Sequence, residues 1–294
     1  MRVLMLANRK SGKGKAAALA DRIARELERE GHRVTMVQPG APAPPGTAKE
    51  TGFDGVDAVV AVGGDGTIHY ALPELLRTGA PIYHAPGGNE NLFAREFGMT
   101  GEPTHVLCAL ERRPGAPVDV GTVNGAPFAI LVSVGPDAGV IHRLHAVRSR
   151  ASGHAMYLKP ILAECREPSL PELTIVVEGK AIVTNQRGFV MIANCQRYAL
   201  GLDPARVADM RDGRLDVVFF PARTIAHALV WVARCAIGAP TDWPGVVTAR
   251  GADIMLTSTT PAPRQVDGEA GGWLEPGESL RLGVLPGALR VLGV

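Results

Sequence analysis

The chain has 294 residues, enough for two domains or one large one. Hydrophobic residues make up 46% and charged residues 20%, a balance that argues against a disordered chain. A formal net charge of +2 and an aromatic content of 5% argue against nucleic-acid binding. The four cysteines form no CxxC pair, which disfavours a zinc site or a disulfide framework. No apolar run resembles a signal peptide or a membrane span, so we expect a cytoplasmic protein.

The first 118 residues predict an α/β domain. Short strands are predicted at 2–7, 33–37, 56–62 and 80–84, and a helix with an apolar stripe at helical spacing is predicted at 14–30. The run at 56–62 is almost entirely apolar, as expected of a central parallel strand buried on both faces. This alternation of strands and helices is typical of a doubly wound parallel sheet that binds nucleotides.

After residue 118 the pattern changes to short strands and hairpin turns. Asn124-Gly125 is a strong hairpin signal between two β-rich runs, and Glu178-Gly179-Lys180 repeats the arrangement. Helices are predicted near 137–165 and 224–237. Residues 119–284 therefore predict a second domain that is β-rich, mostly antiparallel and sandwich-like.

The strongest chemical signal is Gly63-Gly64-Asp65-Gly66-Thr67, which directly follows the buried strand. Glycines let the backbone approach a phosphate and expose consecutive N–H groups. Thr67 would lie at the start of a helix, where anions are favoured. Asp65 is unusual in such a loop, because a carboxylate beside phosphates needs a cation or a proton to move. The alternative is a purely structural glycine turn.

Two further loops are predicted at the same edge of the sheet. The segment 86–91 also joins a strand to a helix, and the carboxyl ends of parallel strands meet at one edge. The basic segment 8–15 follows the first strand but lacks the spacing of a P-loop. Candidate nucleotide contacts in these two loops are Gly88, Asn89, Asn8 and Lys13. An ordinary Asn-capped helix and a solvated basic helix start are the alternatives.

Six segments resemble, in order, the bacterial lipid kinases with a diacylglycerol kinase catalytic domain. They are VVAVGGDGTIHYAL, PGGNENLFAREFG, VDVGTVNG, GPDAGV, RDGRLDVVFF and VDGE. Sphingosine and ceramide kinases share that domain, whereas NAD kinases and phosphofructokinases share the GGDGT loop alone. The resemblance covers nearly the whole chain. It implies that a last strand at 285–294 returns to the first domain, 1–118, and that the site lies in the cleft between the domains.

The resemblance implies roles for individual residues. The GGDGT loop would bind the phosphates of ATP and, through Asp65, the metal. Asn89 occupies the position of a nucleotide-contacting Thr. Glu269 belongs to the segment Val266-Asp267-Gly268-Glu269, which the sequence alone predicts as an ordinary tight turn. The resemblance makes Glu269 the general base.

The resemblance also implies a metal loop at 209–214. The side chain of Asp212 and the backbone carbonyls of Asp209 and Arg214 would be its ligands. Asp119 matches an Asp that contacts magnesium through water. Oxygen ligands of this kind suit Mg²⁺.

Several departures from the family pattern cluster around the nucleotide and the metal. Leu92 stands where the family has an active-site Asp, and Asn89 replaces Thr. His69-Tyr70 replaces the usual Asn-Glu, and Pro39 or a neighbour replaces a nucleotide-contacting Thr. The Gly-rich run before the metal loop is replaced by Tyr198 to Gly201. These changes are compatible with an altered donor, an altered acceptor or lost catalysis.

The sequence thus predicts an ATP- and Mg²⁺-dependent kinase that phosphorylates the hydroxyl group of a diacylglycerol- or sphingoid-like lipid at a membrane surface. The basic helix 139–159 is the candidate for membrane docking, with an ordinary solvated face as its alternative. A kinase of a soluble acceptor and a non-catalytic binding protein are the alternative functions. The identity of the lipid and the oligomeric state, a homodimer included, are left open, and no nucleic-acid partner is expected.

Overall fold

The computed structural model describes residues 1–8, 14–38, 52–112, 114–146, 157–239, 241 and 243–293. Lys13, Pro39 and the segment 147–156 of the predicted docking helix lie outside these residues. The chain divides into two compact units. One unit comprises Met1–Val118 and Gly287–Val294, and the other comprises Asp119–Pro286.

The first unit is built on a parallel sheet. Its strands are β1 (Arg2–Ala7), β2 (Arg33–Val37), β3 (Ala58–Gly63) and β4 (Ile82–Pro86), and its helices are α1 (Lys15–Arg29), α2 (Asp65–Thr78), α3 (Leu92–Glu96) and α4 (Pro103–Glu111). The strands pair in the order β2-β1-β3-β4, all in parallel. Every residue of the central strand β3 is buried, which explains its apolar sequence.

Helix α1 packs through the stripe that its sequence predicts. Its buried residues are Ala16, Ala20, Ile23, Ala24 and Leu27, which repeat at helical spacing. Helix α2 ends before Gly79, whose φ of 69° is the left-handed conformation that commonly closes a helix. None of the helices in the described ranges is long and apolar enough to cross a bilayer.

Over its described residues, the second unit is an antiparallel β structure with three α-helices. Its strands are β5 (Ala116–Val123), which begins in the first unit, β6 (Ala126–Phe128), β7 (Leu131–Val134), β8 (Glu172–Val177), β9 (Lys180–Ala193), β10 (Leu215–Pro221), β11 (Val247–Gly251), β12 (Asp253–Ser258), β13 (Ala262–Val266), β14 (Glu269–Leu274) and β15 (Ser279–Val291). Its helices are α5 (Pro136–Ala146), α6 (Leu158–Arg166) and α7 (Ile225–Ala236). The described parts of the predicted helix near 137–165 are α5 and α6.

Two long strands organise the second unit. The first half of β9 pairs with β8, and its second half pairs with β7 and β10. Gly188 lies where the partners change, and a Cβ atom there would lie 2.2 Å from the carbonyl oxygen of Phe220, so only glycine fits. One apolar core fills this unit, with Phe128, Ile175, Ile192, Phe219 and Leu256 among its buried side chains. The other long strand, β15, pairs with β12, and its Val291 pairs in parallel with Ile82 in the first unit.

Candidate active site

The two glycine-rich loops of the first unit lie against each other. The N–H group of Gly87 donates a hydrogen bond of 2.7 Å to the carbonyl of Gly63, the last residue of β3. A Cβ atom on Gly88 would lie 2.5 Å from the Cα atom of Gly64, closer than real Cβ atoms approach other heavy atoms. Both loops therefore require glycine where they meet. Their contact lies beside the N-terminus of α2, where backbone N–H groups favour an anion.

Asp65 is the first residue of α2 and also caps the next helix. Its Oδ1 atom accepts a hydrogen bond of 3.0 Å from the N–H of Phe93, in the first turn of α3. No described residue donates a hydrogen bond to its Oδ2 atom, and the side chain is partly exposed. Asn91 closes the preceding turn through hydrogen bonds of 2.8 and 3.0 Å with the backbone of Gly88. One carboxylate oxygen of Asp65 is thus fixed while the other is accessible to a ligand.

Thr67 supplies a buried hydroxyl at the same place. The residue is 2% exposed, and its Oγ1 atom has no hydrogen-bond partner among the described residues. Its N–H donates to the carbonyl of Gly64 at 2.9 Å, and a Cβ atom on Gly63 would lie 2.3 Å from Oγ1. Because buried polar groups are nearly always paired, the free hydroxyl fits a site that an anionic ligand completes.

The other predicted nucleotide contacts differ in their placement. The Cβ atom of Asn8 would lie 3.3 Å from a Cβ atom on Gly63, so Asn8 adjoins the loop. Gly66 lies partly exposed in the first turn of α2, and Asn89 is exposed in the second loop. Lys13 lies outside the described residues. The structure therefore brings Asn8 and the two glycine-rich loops to one edge of the sheet.

His84 supports the first loop from inside the core, and sequence reasoning missed it. Its side chain is fully buried in β4, and its Nε2 atom lies 2.9 Å from the carbonyl oxygen of Gly63. Burial lowers the pKa of His84, while the charge of Asp65 opposes that shift. The imidazole is therefore neutral at pH 7, and because a carbonyl only accepts, Nε2 carries the proton. A single His within an apolar strand was the signal in the sequence.

In the second unit, Asp267 fixes the turn that presents Glu269. Its buried carboxylate accepts three backbone hydrogen bonds of 2.8–3.1 Å, from Ala129, Ile130 and Leu131. Glu269 begins β14 with a side chain that is 28% exposed. Its Oε2 atom lies 3.3 Å from Nε2 of His145. The turn is thus rigid, while the predicted base stays accessible.

A buried polar network supports this turn. The carboxylate of Asp137 accepts hydrogen bonds from the hydroxyl groups of Ser133 and Tyr198, at 2.7 and 3.0 Å. It also accepts one from the amide of Gln265, whose Oε1 atom accepts the N–H of Gly268 at 2.8 Å. Burial raises the pKa of the Asp137 carboxyl, and the hydrogen bonds partly offset that shift. Gln265 therefore links this acid to the turn before Glu269.

Asp119 and the predicted metal loop do come together. The Oδ2 atom of Asp119 accepts the N–H of Gly213 at 2.7 Å, and its own N–H donates to the carbonyl of Met210 at 2.6 Å. Within the loop, Oδ1 of Asp209 accepts the N–H of Arg211 at 3.1 Å. The loop is therefore held by backbone hydrogen bonds.

The predicted metal ligand Asp212, however, is paired with a guanidinium group. Arg250 forms an ion pair with Oδ2 of Asp212 and contacts Oδ1 of buried Asp216 at 3.0 Å. Burial raises the pKa of Asp216, and the charge of Arg250 opposes that shift. No group of three or more metal-binding His, Cys, Asp or Glu side chains exists in the part of the chain that the structure describes. The side chain predicted as a ligand is thus paired with Arg250, and the metal assignment at Asp212 stays a prediction.

The chain thus combines a parallel sheet, with two glycine-rich loops that meet at one edge, and an antiparallel β unit. Residues 2–123 match the diacylglycerol kinase catalytic domain, and residues 130–293 match the YegS C-terminal NAD kinase beta sandwich-like domain. The chain therefore belongs to the family that combines these two domains, which confirms the predicted resemblance and fold class.

Individual relatives agree with this assignment. A protein from Mycobacterium tuberculosis named diacylglycerol kinase is 30% identical over 169 residues, which are 55% of this chain and 54% of that protein. An uncharacterised Synechocystis protein is 26% identical over 74% of this chain and 51% of its own length. The chain thus spans about half the length of these two relatives. A putative diacylglycerol kinase structure from Bacillus anthracis superimposes with a TM-score of 0.71 at 18% identity, over 99% of this chain and 97% of that one, which supports the fold.

Proposed function

We propose that the protein transfers the γ-phosphoryl group of ATP to the hydroxyl group of a lipid. The observation that carries this proposal is the contact between the two glycine-rich loops beside Asp65, in a chain of the diacylglycerol kinase family. The N–H groups and dipole of α2 favour phosphate at this position. The unpaired hydroxyl of Thr67 adds a further donor.

Asp65 is the residue of this loop that fits Mg²⁺. Its Oδ1 atom is held by the N–H of Phe93, so the carboxylate is oriented before a ligand arrives. Its second oxygen is the kind of hard ligand that Mg²⁺ prefers beside phosphates. When bound with ATP, Mg²⁺ neutralises charge on the transferred phosphoryl group. His84 holds the carbonyl of Gly63 and so fixes the loop that carries Asp65.

Glu269 is the proposed general base. An alcohol has a pKa far above 7 and is a weak nucleophile until a base accepts its proton. The three hydrogen bonds to Asp267 fix the turn from which Glu269 projects, and the partly exposed carboxylate is free to meet an acceptor. His145 lies within reach to orient that carboxylate. The base must come within hydrogen-bond distance of the acceptor hydroxyl.

A lipid acceptor is supported by relatives that are named for lipid kinases. Two other functions have their own observations. A soluble acceptor is supported by the NAD kinase-like description of the second domain. A non-catalytic role is supported by Leu92, which places an apolar, buried side chain where the family has a carboxylate.

An acceptor panel separates these functions. The protein is incubated with Mg²⁺ and ATP labelled on the γ-phosphate, with diacylglycerol, a sphingoid base, NAD or no acceptor. We expect labelled lipid from one of the two lipids only. Labelled NADP alone would establish the soluble acceptor, and nucleotide binding without any labelled product would establish the non-catalytic role. Omitting Mg²⁺ tests whether the reaction needs the metal. Replacing ATP by other labelled nucleoside triphosphates identifies the donor.

Nucleotide binding tests Asp65 independently of the acceptor. Asp65→Asn keeps an oxygen to cap α3 but loses the charge, so we expect a similar melting temperature and Mg²⁺-dependent ATP affinity at least about tenfold weaker. Calorimetric titration with ATP, with and without Mg²⁺, measures the change. Asp253→Asn, at an exposed position of β12, is the matched control. Wild-type affinity in Asp65→Asn would remove Asp65 from the site.

A further inference from the structure

The outward face of α7 is apolar. The helix packs through Ala228, Trp231 and Cys235, which are buried on one side. The helix residues exposed to solvent are 226, 227, 229, 230, 232, 233 and 236, and all except His227 are apolar. Leu229, Val230 and Val232 are 53%, 40% and 39% exposed, and Ile237, directly after the helix, is 76% exposed. A helix that exposes this much apolar surface to solvent is typical of an interaction site.

The segment that carries this face contains cations but no carboxylate. No Asp or Glu occurs from Ala222 to Ala239, whereas Arg223, His227 and Arg234 do occur there. His227 and Arg234 are seven residues apart and so lie along one edge of the apolar face. The guanidinium of Arg234 also lies 5.5 Å from the ring centre of Trp243, whose side chain is partly exposed. Apolar side chains, flanking cations and an aromatic ring thus lie together.

Helix α6 carries a second exposed apolar patch. Leu158, Ile161 and Leu162 are 61%, 41% and 51% exposed. The carboxylate of α6, Glu164, is buried and paired with Arg143. The exposed residues of both helices therefore add apolar surface and positive charge without negative charge.

The described part of the predicted docking helix gives less support for membrane docking than α7 does. On α5, Arg143 pairs with Glu164 and Glu167, and Nε2 of His142 lies 2.9 Å from the carbonyl of Arg264. These cations are used within the protein. Arg223, by contrast, is exposed just before α7.

We propose that the outward face of α7 docks on an anionic membrane surface. Apolar residues at this exposure enter the boundary between headgroups and acyl chains, and Arg223, which is exposed just before the helix, meets lipid phosphates. Trp243 has the amphipathic ring that such interfaces favour. A second copy of the chain fits less well, because a two-fold contact would place Arg223 of both copies in one interface, and the segment 222–239 has no carboxylate to pair with them. The proposal rests on the proposed function, because docking would bring the enzyme to its lipid substrate. The vesicle-binding test does not depend on that function.

The test is binding to vesicles without ATP or acceptor. The full chain is sedimented with vesicles of phosphatidylcholine alone and with vesicles containing about one third phosphatidylglycerol. We expect binding to the anionic vesicles, about tenfold weaker in Leu229→Gln/Ile237→Gln and about fivefold weaker in Arg223→Gln. Leu285→Gln, which alters an exposed apolar residue of β15, is the control and should bind like wild type. Because the altered side chains are exposed, melting temperatures should not fall; if the double variant does not fold, Val230→Gln repeats the test.

Three outcomes would overturn the proposal. They are no binding by the wild type, equal weakening in the control, and a dimer in lipid-free buffer that the double variant dissociates, which would show that a second copy covers the face. Phosphorylation of a water-soluble, short-chain diacylglycerol is measured in parallel. Turnover of that acceptor without vesicle binding would refute membrane docking through α7 but not the kinase activity. Vesicle binding without turnover of any acceptor would refute the kinase activity but not the docking.

Discussion

His84 lies beneath the first glycine-rich loop, where its protonation state affects the folded protein. Burial lowers the pKa of His84 in the folded chain, whereas the unfolded chain keeps the ordinary value of 6.5. Below that pH the unfolded state takes up a proton that the folded state does not. The contribution of His84 to stability is therefore constant above about pH 6.5 and is lost as the pH falls through the window below it.

We expect His84→Gln to flatten this pH dependence. Glutamine can still donate a hydrogen bond to the carbonyl of Gly63 but does not titrate. The measurement is the free energy of unfolding from denaturant titrations between about pH 7 and pH 5. His105→Gln, at an exposed position of α4, serves as the control and should keep the wild-type slope. Equal slopes for wild type and His84→Gln would contradict this account.

An ion pair with Arg250 and a bound metal ion at the loop 209–214 lead to opposite expectations for the melting temperature in excess chelator. If Arg250 neutralises Asp212 and Asp216, the melting temperature should not change in excess chelator. Arg250→Gln should lower stability by about 1–3 kcal/mol, because the buried carboxylate of Asp216 would lose its partner. Arg281→Gln, at an exposed position of β15, should have little effect. Thermal unfolding with and without chelator, with elemental analysis, distinguishes the two. A bound divalent ion whose removal lowers the melting temperature would favour the ion.

At the scale of elements, α3 explains how the chain accommodates Leu92. Asp65 caps α3 from the neighbouring loop, since its Oδ1 atom accepts the N–H of Phe93. Leu92 itself is 9% exposed and packs as part of the core. A carboxylate introduced at Leu92 would be buried near the charge of Asp65, at a cost to stability. Leu92→Asp is therefore a poor test of whether the missing acid has been lost or replaced.

The contact between the glycine-rich loops predicts the effect of Gly88→Ala. The added Cβ atom would meet backbone atoms of Gly64, which cannot rotate away, so the loops must separate. We expect a lower melting temperature and ATP affinity weakened by more than about tenfold. Gly101→Ala is the matched control, because its Cβ atom would meet only the flexible side chain of Leu19 at 3.1 Å. Wild-type ATP affinity in Gly88→Ala would argue against a phosphate site at this contact.

Local pattern accounts for the elements that the sequence predicts well. The apolar run at 56–62 corresponds to β3 at Ala58–Gly63, and the apolar stripe at 14–30 corresponds to α1 at Lys15–Arg29. Both features are visible within one turn or one strand. The glycines of the two loops are equally local, because each marks a strand that turns into a helix. The sequence therefore predicts the edge of the sheet at which the loops meet.

Tertiary partners far along the chain account for what sequence reasoning missed. Asp267 accepts hydrogen bonds from residues 136–138 positions away, and Arg250 pairs with Asp212 at a separation of 38. Periodicity along the sequence does not indicate contacts between residues that are so far apart in the chain. The same reason explains the metal loop, where the family pattern is present but the cation beside Asp212 comes from another strand.

At the scale of the whole molecule, the proposed reaction needs both compact units. The first contributes the phosphate site around Asp65, and the second contributes Glu269 on a turn fixed by Asp267. Each part is rigid in its own unit, which is a condition for accurate positioning of reacting groups. In the proposed reaction, a phosphoryl group bound by the first unit is transferred to a hydroxyl group deprotonated by the second.

Turnover by Glu269→Gln is the direct test of the claim that the second unit supplies the base. The substitution keeps the size of the side chain but removes the base, so we expect the rate on the active lipid to fall about 10²–10⁴-fold while ATP affinity and melting temperature stay close to wild type. Glu275→Gln, at an exposed position just after β14, should keep the wild-type rate. Steady-state phosphorylation of the lipid is measured beside ATP binding for all three proteins. A Glu269→Gln rate within a few-fold of wild type would contradict the claim.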